Sequence, residues 1–276
     1  MEERKILVIG GKGKTGRKVV ERLTGPGRTI RVGSRSETPS FDWENPETWL
    51  SVLEGMDTVY ITFQPDLAIP DALGAIKGFT TQAVKTGIQK MVLLSGRGEE
   101  GAQDCEQVIM NAGVDWTVVR ADWFNQNYSE GWVLDPILAG HVALPRGEAP
   151  LPYVDADDIA DVVVESLLDD KHVGKVYELT GPRLLTFKQA TEEISKVTGR
   201  DIKFQSISMD EYTKILREYQ VPEDHIWLIK YLLTEVLDGR NANTTNDIEK
   251  VLGRKAKDFT EYARETAKTG IWNPVE

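Results

Sequence analysis

The sequence predicts an α/β protein: a doubly wound parallel sheet with a smaller, mostly helical C-terminal lobe. Three observations predict it. Short, near-continuous apolar runs alternate with amphipathic stretches through the first half. The first apolar run passes straight into a glycine-rich loop, Gly10-Gly-Lys-Gly-Lys-Thr-Gly16, and a helical pattern follows. In the second half the alternation weakens and helical patterns dominate. Strands that are apolar throughout need helices on both faces, which is the setting of a parallel sheet.

Taken in order, the first strand is Ile6–Ile9. Its helix runs from Thr15 to Leu23 and stops at Gly25-Pro26-Gly27, a strong breaker. Thr29–Gly33 is the second strand, and a short strand is expected near Phe41–Trp43. Pro46 opens a helix that runs through Leu53, with Gly55 beyond its end. Asp57–Phe63, Lys90–Ser95 and Asp115–Ala121 read as further strands. Helices over Asp71–Thr86 and Gln103–Ala112 lie between them and end at Gly87 and Gly113. In the second half, Asp155–Leu168 reads as an amphipathic helix and Lys175–Leu179 as a strand. A helix over Thr186–Val197 has Thr186 as its N-cap. Ile202–Ser208 is a strand. Helices are expected over Asp210–Tyr219, Glu223–Leu237 and Asp258–Ala267. The predicted organisation is a nucleotide-binding domain over residues 1–150 and a closely packed lobe over 151–276 that supplies a late core helix and the far wall of a cleft.

Composition bounds the function. The chain has 276 residues, 40% hydrophobic and 28% charged, enough for a sizeable core. Its net charge of −11 argues against nucleic-acid or anionic-membrane binding. The single cysteine, Cys105, excludes an internal disulfide and suits a reducing, cytoplasmic setting. It reads as a small buried residue. His141, His172 and His225 lack ligand spacing, so no metal is expected. There is no signal-peptide pattern and no membrane-spanning apolar run. A small-molecule substrate and a monomer or homodimer are the expectation.

The glycine loop carries the chemistry. Gly11-x-Gly13-x-x-Gly16 is the dinucleotide fingerprint, and Gly10-x-x-Gly13-x-x-Gly16 is a related spacing. Gly13-Lys14-Thr15 could also end a P-loop, but that motif needs a glycine five positions earlier, where Val8 stands inside the strand. Glycines let the backbone approach a pyrophosphate, which the helix N-terminus attracts. The second strand ends Arg31-Val-Gly-Ser-Arg-Ser36, with no acid before Glu37. An acid there would bind a ribose 2′-hydroxyl; Ser34 and Arg35 instead suit a 2′-phosphate, so the cofactor is NADP(H).

The chain resembles the NmrA-like family of atypical short-chain dehydrogenases over nearly its whole length. The matching pieces are the Gly10–Gly16 loop, Phe41-Asp-Trp-Glu-Asn-Pro-Glu-Thr-Trp49, Gly87-Ile-Gln-Lys-Met-Val-Leu-Leu-Ser95 and Ala112-Gly-Val-Asp-Trp-Thr-Val-Val-Arg120. Trp123-Phe-Asn-Gln-Asn127, Tyr153-Val-Asp-Ala-Asp-Asp-Ile-Ala160 and Thr269-Gly-Ile-Trp272 complete them. The resemblance implies a Rossmann fold and puts the pyrophosphate on Gly10, Lys12, Gly13, Lys14, Thr15 and Gly16. It puts the 2′-phosphate on Ser34 and Arg35, and the adenine near Asp42 and Trp43. Thr62, Phe63, Gln64, Ser95 and Gly96 then line the nicotinamide ribose.

Short-chain dehydrogenases use a Tyr-x-x-x-Lys pair as proton donor. The stretch Ser95–Glu106 holds neither tyrosine nor lysine, and Gln103 stands where related reductases keep a lysine. Ordinary ketone reduction would lack its donor. Hydride transfer to an electron-poor quinone, iminium or conjugated carbonyl needs mainly orientation and a shaped pocket. Trp123, Phe124, Asn127 and Tyr128, with Trp132, are the expected substrate wall; core packing is the other reading of these aromatics. Arg97 and Glu99 follow a strand end, where substrate contact is one reading; surface charge is the favoured one. The catalytic residues are not assigned. The alternative function is a non-catalytic NADP(H)-sensing regulator that binds a protein partner.

Overall fold

The structure, a computed structural model, describes residues 4–274. Its strands are β1 (Arg4–Ile9), β2 (Arg28–Gly33), β3 (Thr58–Ile61), β4 (Lys90–Gly96), β5 (Asp115–Ala121), β6 (His141–Leu144), β7 (Lys175–Leu179) and β8 (Lys203–Ser206). Six of them form one parallel sheet in the order β2-β1-β3-β4-β5-β7, and β6 pairs with β8 in parallel. The helices are α1 (Gly16–Leu23), α2 (Trp49–Leu53), α3 (Ala72–Thr86), α4 (Glu100–Met110), α5 (Leu134–Ala139), α6 (Ala156–Leu168), α7 (Phe187–Thr198), α8 (Met209–Glu218), α9 (Glu223–Tyr231), α10 (Asp247–Leu252) and α11 (Phe259–Lys268). None among the described residues is long and apolar enough to cross a membrane.

The doubly wound character follows from strand alternation. Leu7, Ile9, Val59, Ile61, Met91, Leu93 and Val118 are buried on one face against Trp49, Ile76, Phe79, Cys105 and Ile109 of α2, α3 and α4. Alternate residues Ile6, Val8, Tyr60, Val92 and Val119 are buried as well. On that second face α6 packs on β3, β4, β5 and α1. Each such aliphatic side chain contributes about 1.5–3 kcal/mol relative to leaving it in water. Lys18 and Arg22 of α1 reach Asp157 of α6, each at 2.9 Å, and fix the two helices side by side.

The chain divides into two compact units. One comprises Met1–Ala121, Ala156–Leu179 and Lys250–Gly253; the other comprises Asp122–Asp155, Thr180–Glu249 and Arg254–Glu276. This corrects the single boundary expected at residue 150. The residues assigned there to the second lobe include α6 and β7, which complete the main sheet, and β7 pairs with β5 through five register pairs from Thr117–Lys175 to Ala121–Leu179. The second unit has its own core, in which Ile137, Val142, Phe187, Ile194, Tyr212, Phe259 and Trp272 are buried.

Most expected elements are present within a few residues of their bounds. No strand forms at 41–43. Phe41 N donates to Ser34 O and Asp42 N to Thr48 Oγ1, so these amides serve a turn and β2 remains the sheet edge. The helix expected over Glu223–Leu237 changes at Tyr231 into a π-helical turn over Leu232–Val236. The short elements α5, β6 and α10 had no sequence expectation.

The α7 cap is a full capping box. Gln189 N donates to Thr186 Oγ1, and Thr186 N donates to Gln189 Oε1. Thr186→Ala should therefore cost about 1 kcal/mol, read as a lower urea midpoint with an unchanged slope.

Candidate functional site

The sheet has one topological switch point. β1 lies between β2 and β3, and the chain leaves the carboxyl ends of β1 and β3 in opposite directions. The Gly10–Gly16 loop starts there. Gly10 is left-handed at φ +68°, and its amide donates to Gly33 O at 2.9 Å, tying the loop to the end of β2. Gly13 N then donates back to Gly10 O at 2.8 Å. A Cβ on Gly16 would land on the Gly10 carbonyl, and one on Gly10 would land on the Thr62 hydroxyl. Thr62 Oγ1 donates to Ile9 O at 3.0 Å, bridging β3 to β1. Positions 10 and 16 of this cradle thus admit only glycine.

The first amides of a helix have no intrahelical partner. In α1 the Arg17 amide donates to Gly13 O at 3.2 Å and the Val19 amide to Thr15 O at 3.0 Å, and no acidic side chain in the first turn offsets the positive end of the helix. The cradle accordingly fits a pyrophosphate. Thr15 is buried, and its hydroxyl meets the Tyr60 hydroxyl at 3.0 Å, which locks the start of α1 onto β3.

Beside the end of β2, Lys12 Nζ donates to Ser36 Oγ at 2.8 Å and pairs with Glu37 at 2.6 Å. Ser34 Oγ and Ser36 Oγ are 3.2 Å apart. Arg35 is exposed and has no ion pair among the described residues. Lys12 and Ser34 thus both meet the Ser36 hydroxyl, and Arg35 is exposed between the two serines in the chain. Asp42 is occupied by a turn: its Oδ1 accepts the Glu44 amide and its carbonyl accepts Trp49 Nε1. Trp43 donates Nε1 to Thr62 O at 3.0 Å and packs against Phe41, Phe63 and Phe79. Phe63 is half-buried and Gln64 exposed.

At the end of β4 the geometry departs from expectation. Ser95 is buried, and its hydroxyl donates to Glu106 Oε1 at 2.6 Å, so it is turned onto α4. Arg120 grips the same carboxyl through Nε at 2.9 Å and Nη2 at 2.7 Å, and reaches Glu178 at 3.2 Å through Nη1. Arg97 Nε donates to Glu178 at 3.0 Å. Ser95, Arg120 and Glu178 sit in one register row across β4, β5 and β7. The hydrogen bond to Glu106 raises the Arg120 guanidinium further above its ordinary range. Arg97 and Glu99, expected as surface charge, are 6% and 8% exposed, and this corrects that reading. Cys105 is buried as expected; burial pushes its thiol up to about 11, too high for a nucleophile.

The expected substrate residues lie in the second unit. Trp123, Phe124 and Asn127 are half-buried, and Trp123 packs edge-on against Trp132 and Phe187. Tyr128 is fully buried: its hydroxyl meets Tyr153 at 3.1 Å and its ring meets Phe259. It is a core residue, which corrects its assignment to a substrate wall, because its neighbours fill the space a substrate would need. Burial raises both phenols. Asp155, also fully buried, accepts the side-chain amides of Asn125 and Gln126.

Switch point, glycine cradle and basic β2 end together define a dinucleotide-binding α/β protein of the short-chain dehydrogenase type. The chain belongs to the NmrA-like family, whose model matches residues 103–267. It is 29% identical to prestalk A differentiation protein A of Dictyostelium discoideum, over 95% of this chain and 92% of that one. It is 28% identical to festuclavine dehydrogenase of Aspergillus fumigatus, over 94% and 97%. Among solved structures, the NADPH complex of the quinone oxidoreductase QOR2 from Escherichia coli superposes with a TM-score of 0.79 at 17% identity, over 94% of this chain and 99% of that one.

Proposed function

We propose that the protein is an NADP(H)-dependent reductase that delivers hydride to a small electron-poor acceptor: a quinone, an iminium or a conjugated carbonyl. As a class it is an oxidoreductase that uses a nicotinamide cofactor. The observation that carries the NADP(H) reading is the end of β2. Arg35 stands there without an ion pair among the described residues, beside Lys12 and Ser34 and with no preceding acid. A guanidinium matches phosphate oxygens in a bidentate pair.

When bound, the reduced nicotinamide supplies the hydride. The residues of this chain hold and orient it. The loop amides take the pyrophosphate, Arg35 with Lys12 and Ser34 takes the 2′-phosphate, and the chain beyond β3 and β4 borders the nicotinamide end. Helix α4 contains no tyrosine and no lysine, which favours acceptors that need no alkoxide-stabilising donor of that kind. Trp123, Phe124 and Asn127 supply substrate contacts in this reading. A cytoplasmic monomer or homodimer completes it.

Two measurements test the proposal. Arg35→Asp should weaken NADPH by about 10- to 100-fold in calorimetry and leave NADH nearly unchanged. Equal loss for both would remove the phosphate role. NADPH oxidation should be measurable with at least one member of a panel of quinones, cyclic imines and conjugated carbonyls. Tight NADP⁺ binding without turnover on any of them would instead favour the sensing regulator.

A further inference from the structure

The turn that follows β2 sets a carboxylate against a cation of the glycine loop, and none of the roles above uses that carboxylate. Glu37 N donates to Ser34 O at 3.3 Å, which closes a four-residue turn over Ser34-Arg35-Ser36-Glu37. Ser36 N donates to Ser34 Oγ at 3.3 Å, and Phe41 N donates to the same Ser34 carbonyl at 3.0 Å. Three bonds to Ser34 thus fix the turn. From its end, Glu37 Oε1 stands 2.6 Å from Lys12 Nζ, which also donates to Ser36 Oγ at 2.8 Å. The other side of this contact is fixed as well. Gly10 N donates to Gly33 O at 2.9 Å, so the loop that carries Lys12 is tied to the strand that leads into the turn.

Lys12 is the loop cation that the 2′-phosphate reading uses, and Glu37 already engages it. The two side chains are 54% and 39% exposed, so a ligand has access to both. An acid at the end of the strand would take a ribose 2′-hydroxyl and exclude phosphate. Here the strand ends at Gly33, and the acid comes only after the turn. From that place it competes with a phosphate for a shared cation. A phosphate monoester carries about −1.5 to −2 charge at neutral pH. Two anions of that strength on one ammonium repel each other, so one of them must yield. Arg35 has no ion pair among the described residues and needs no such exchange.

We propose that Glu37 is a specificity-determining residue: its carboxylate competes with the 2′-phosphate for Lys12 and so moderates the preference for NADP(H) over NAD(H). This rests on the NADP(H) reading above. Without a 2′-phosphate, Lys12 stays paired with Glu37. With one, Lys12 turns from Glu37 to the phosphate, and the Glu37 carboxylate is released to water. The pair is exposed, so the effect is small and is screened by salt.

The test uses Glu37→Gln, Lys12→Met, their combination and Arg35→Asp in the full chain, with NADP⁺ and NAD⁺ binding measured by calorimetry at low salt. Glu37→Gln should raise the ratio of NADP⁺ to NAD⁺ affinity by about 2- to 5-fold. That gain should fade at about 0.5 M salt, where exposed charges are screened. Lys12→Met should lower the ratio. Adding Glu37→Gln to it should give a smaller gain than Glu37→Gln alone, because no cation remains to be released. No rise in the ratio with Glu37→Gln would overturn the proposal, as would a gain that survives high salt. An equal or larger gain without Lys12 would also overturn it, since Glu37 would then act by repulsion alone. If Arg35→Asp leaves the ratio unchanged, the NADP(H) reading falls and the competition falls with it. If Arg35→Asp lowers the ratio and Glu37→Gln does not raise it, the reading stands and the competition does not.

Discussion

Gly16→Val should weaken NADP⁺ binding by about two orders of magnitude or more, measured by calorimetry. A Cβ at position 16 meets the Gly10 carbonyl carbon at 2.7 Å and the Gly11 Cα at 2.8 Å, both backbone atoms that cannot rotate aside. Relief requires the loop to open. Opening the loop lengthens the Gly13-to-Gly10 hydrogen bond and turns the first α1 amides away from their ligand. Strain of about 1–3 kcal/mol is the usual cost of such an insertion into a packed site. Lost phosphate contacts add to it, at tenfold per 1.4 kcal/mol. Gly13→Ala is the graded control. Its Cβ would lie 3.2 Å from the Gly10 oxygen, so a smaller loss is expected. Equal binding by Gly16→Val and the unaltered chain would remove the loop from the cofactor site.

Glu106→Ala should cost about 3–5 kcal/mol of stability and lower Tm by on the order of 10 °C. Glu106 is fully buried and holds three donors, from Ser95 and from two nitrogens of Arg120. Removing it leaves Arg120, 21% exposed, with only its 3.2 Å contact to Glu178, and leaves the Ser95 hydroxyl without its acceptor. The asymmetry of buried ion pairs gives a sharper form of the prediction. Pairing Glu106→Leu with Arg120→Met should recover part of the loss, because deleting both charges costs less than stranding one. Chemical denaturation of the single and double variants checks it. A double variant less stable than Glu106→Ala would contradict this account.

The glycine loop between β1 and α1 was legible because backbone geometry dictates it. Glycines at positions 10, 13 and 16, after a strand and before a helix, admit few other arrangements. The exposed place of Arg35 was legible because it lies just past the short second strand. The burial of Arg97 was not, because its partner is far away in the chain. Arg97 meets Glu178, and no local pattern announces that pairing. A faint signal did exist. Ser95, Arg120 and Glu178 are polar residues just before the last residue of their strands, and in register they form one row. Tyr128 was misread for a related reason. An aromatic residue after a strand either fills a core or lines a pocket, and its local sequence is the same in both cases. The strand Lys175–Leu179 was recognised as a strand but assigned to the wrong unit, since pairing partners are a property of topology and not of the segment.

The position of β7 at the sheet edge has a consequence for synthesis. While the chain emerges from the ribosome, β5 presents a bare row of amide and carbonyl groups until residue 179 is free to pair with it. A nascent chain stalled or truncated before β7 would carry that open edge, and one stopped before α6 would carry an uncovered strand face as well. Such an edge is a template for joining another copy. The nucleotide cradle is among the first parts of the chain to emerge, yet the sheet that carries it is completed only by residues from the second half.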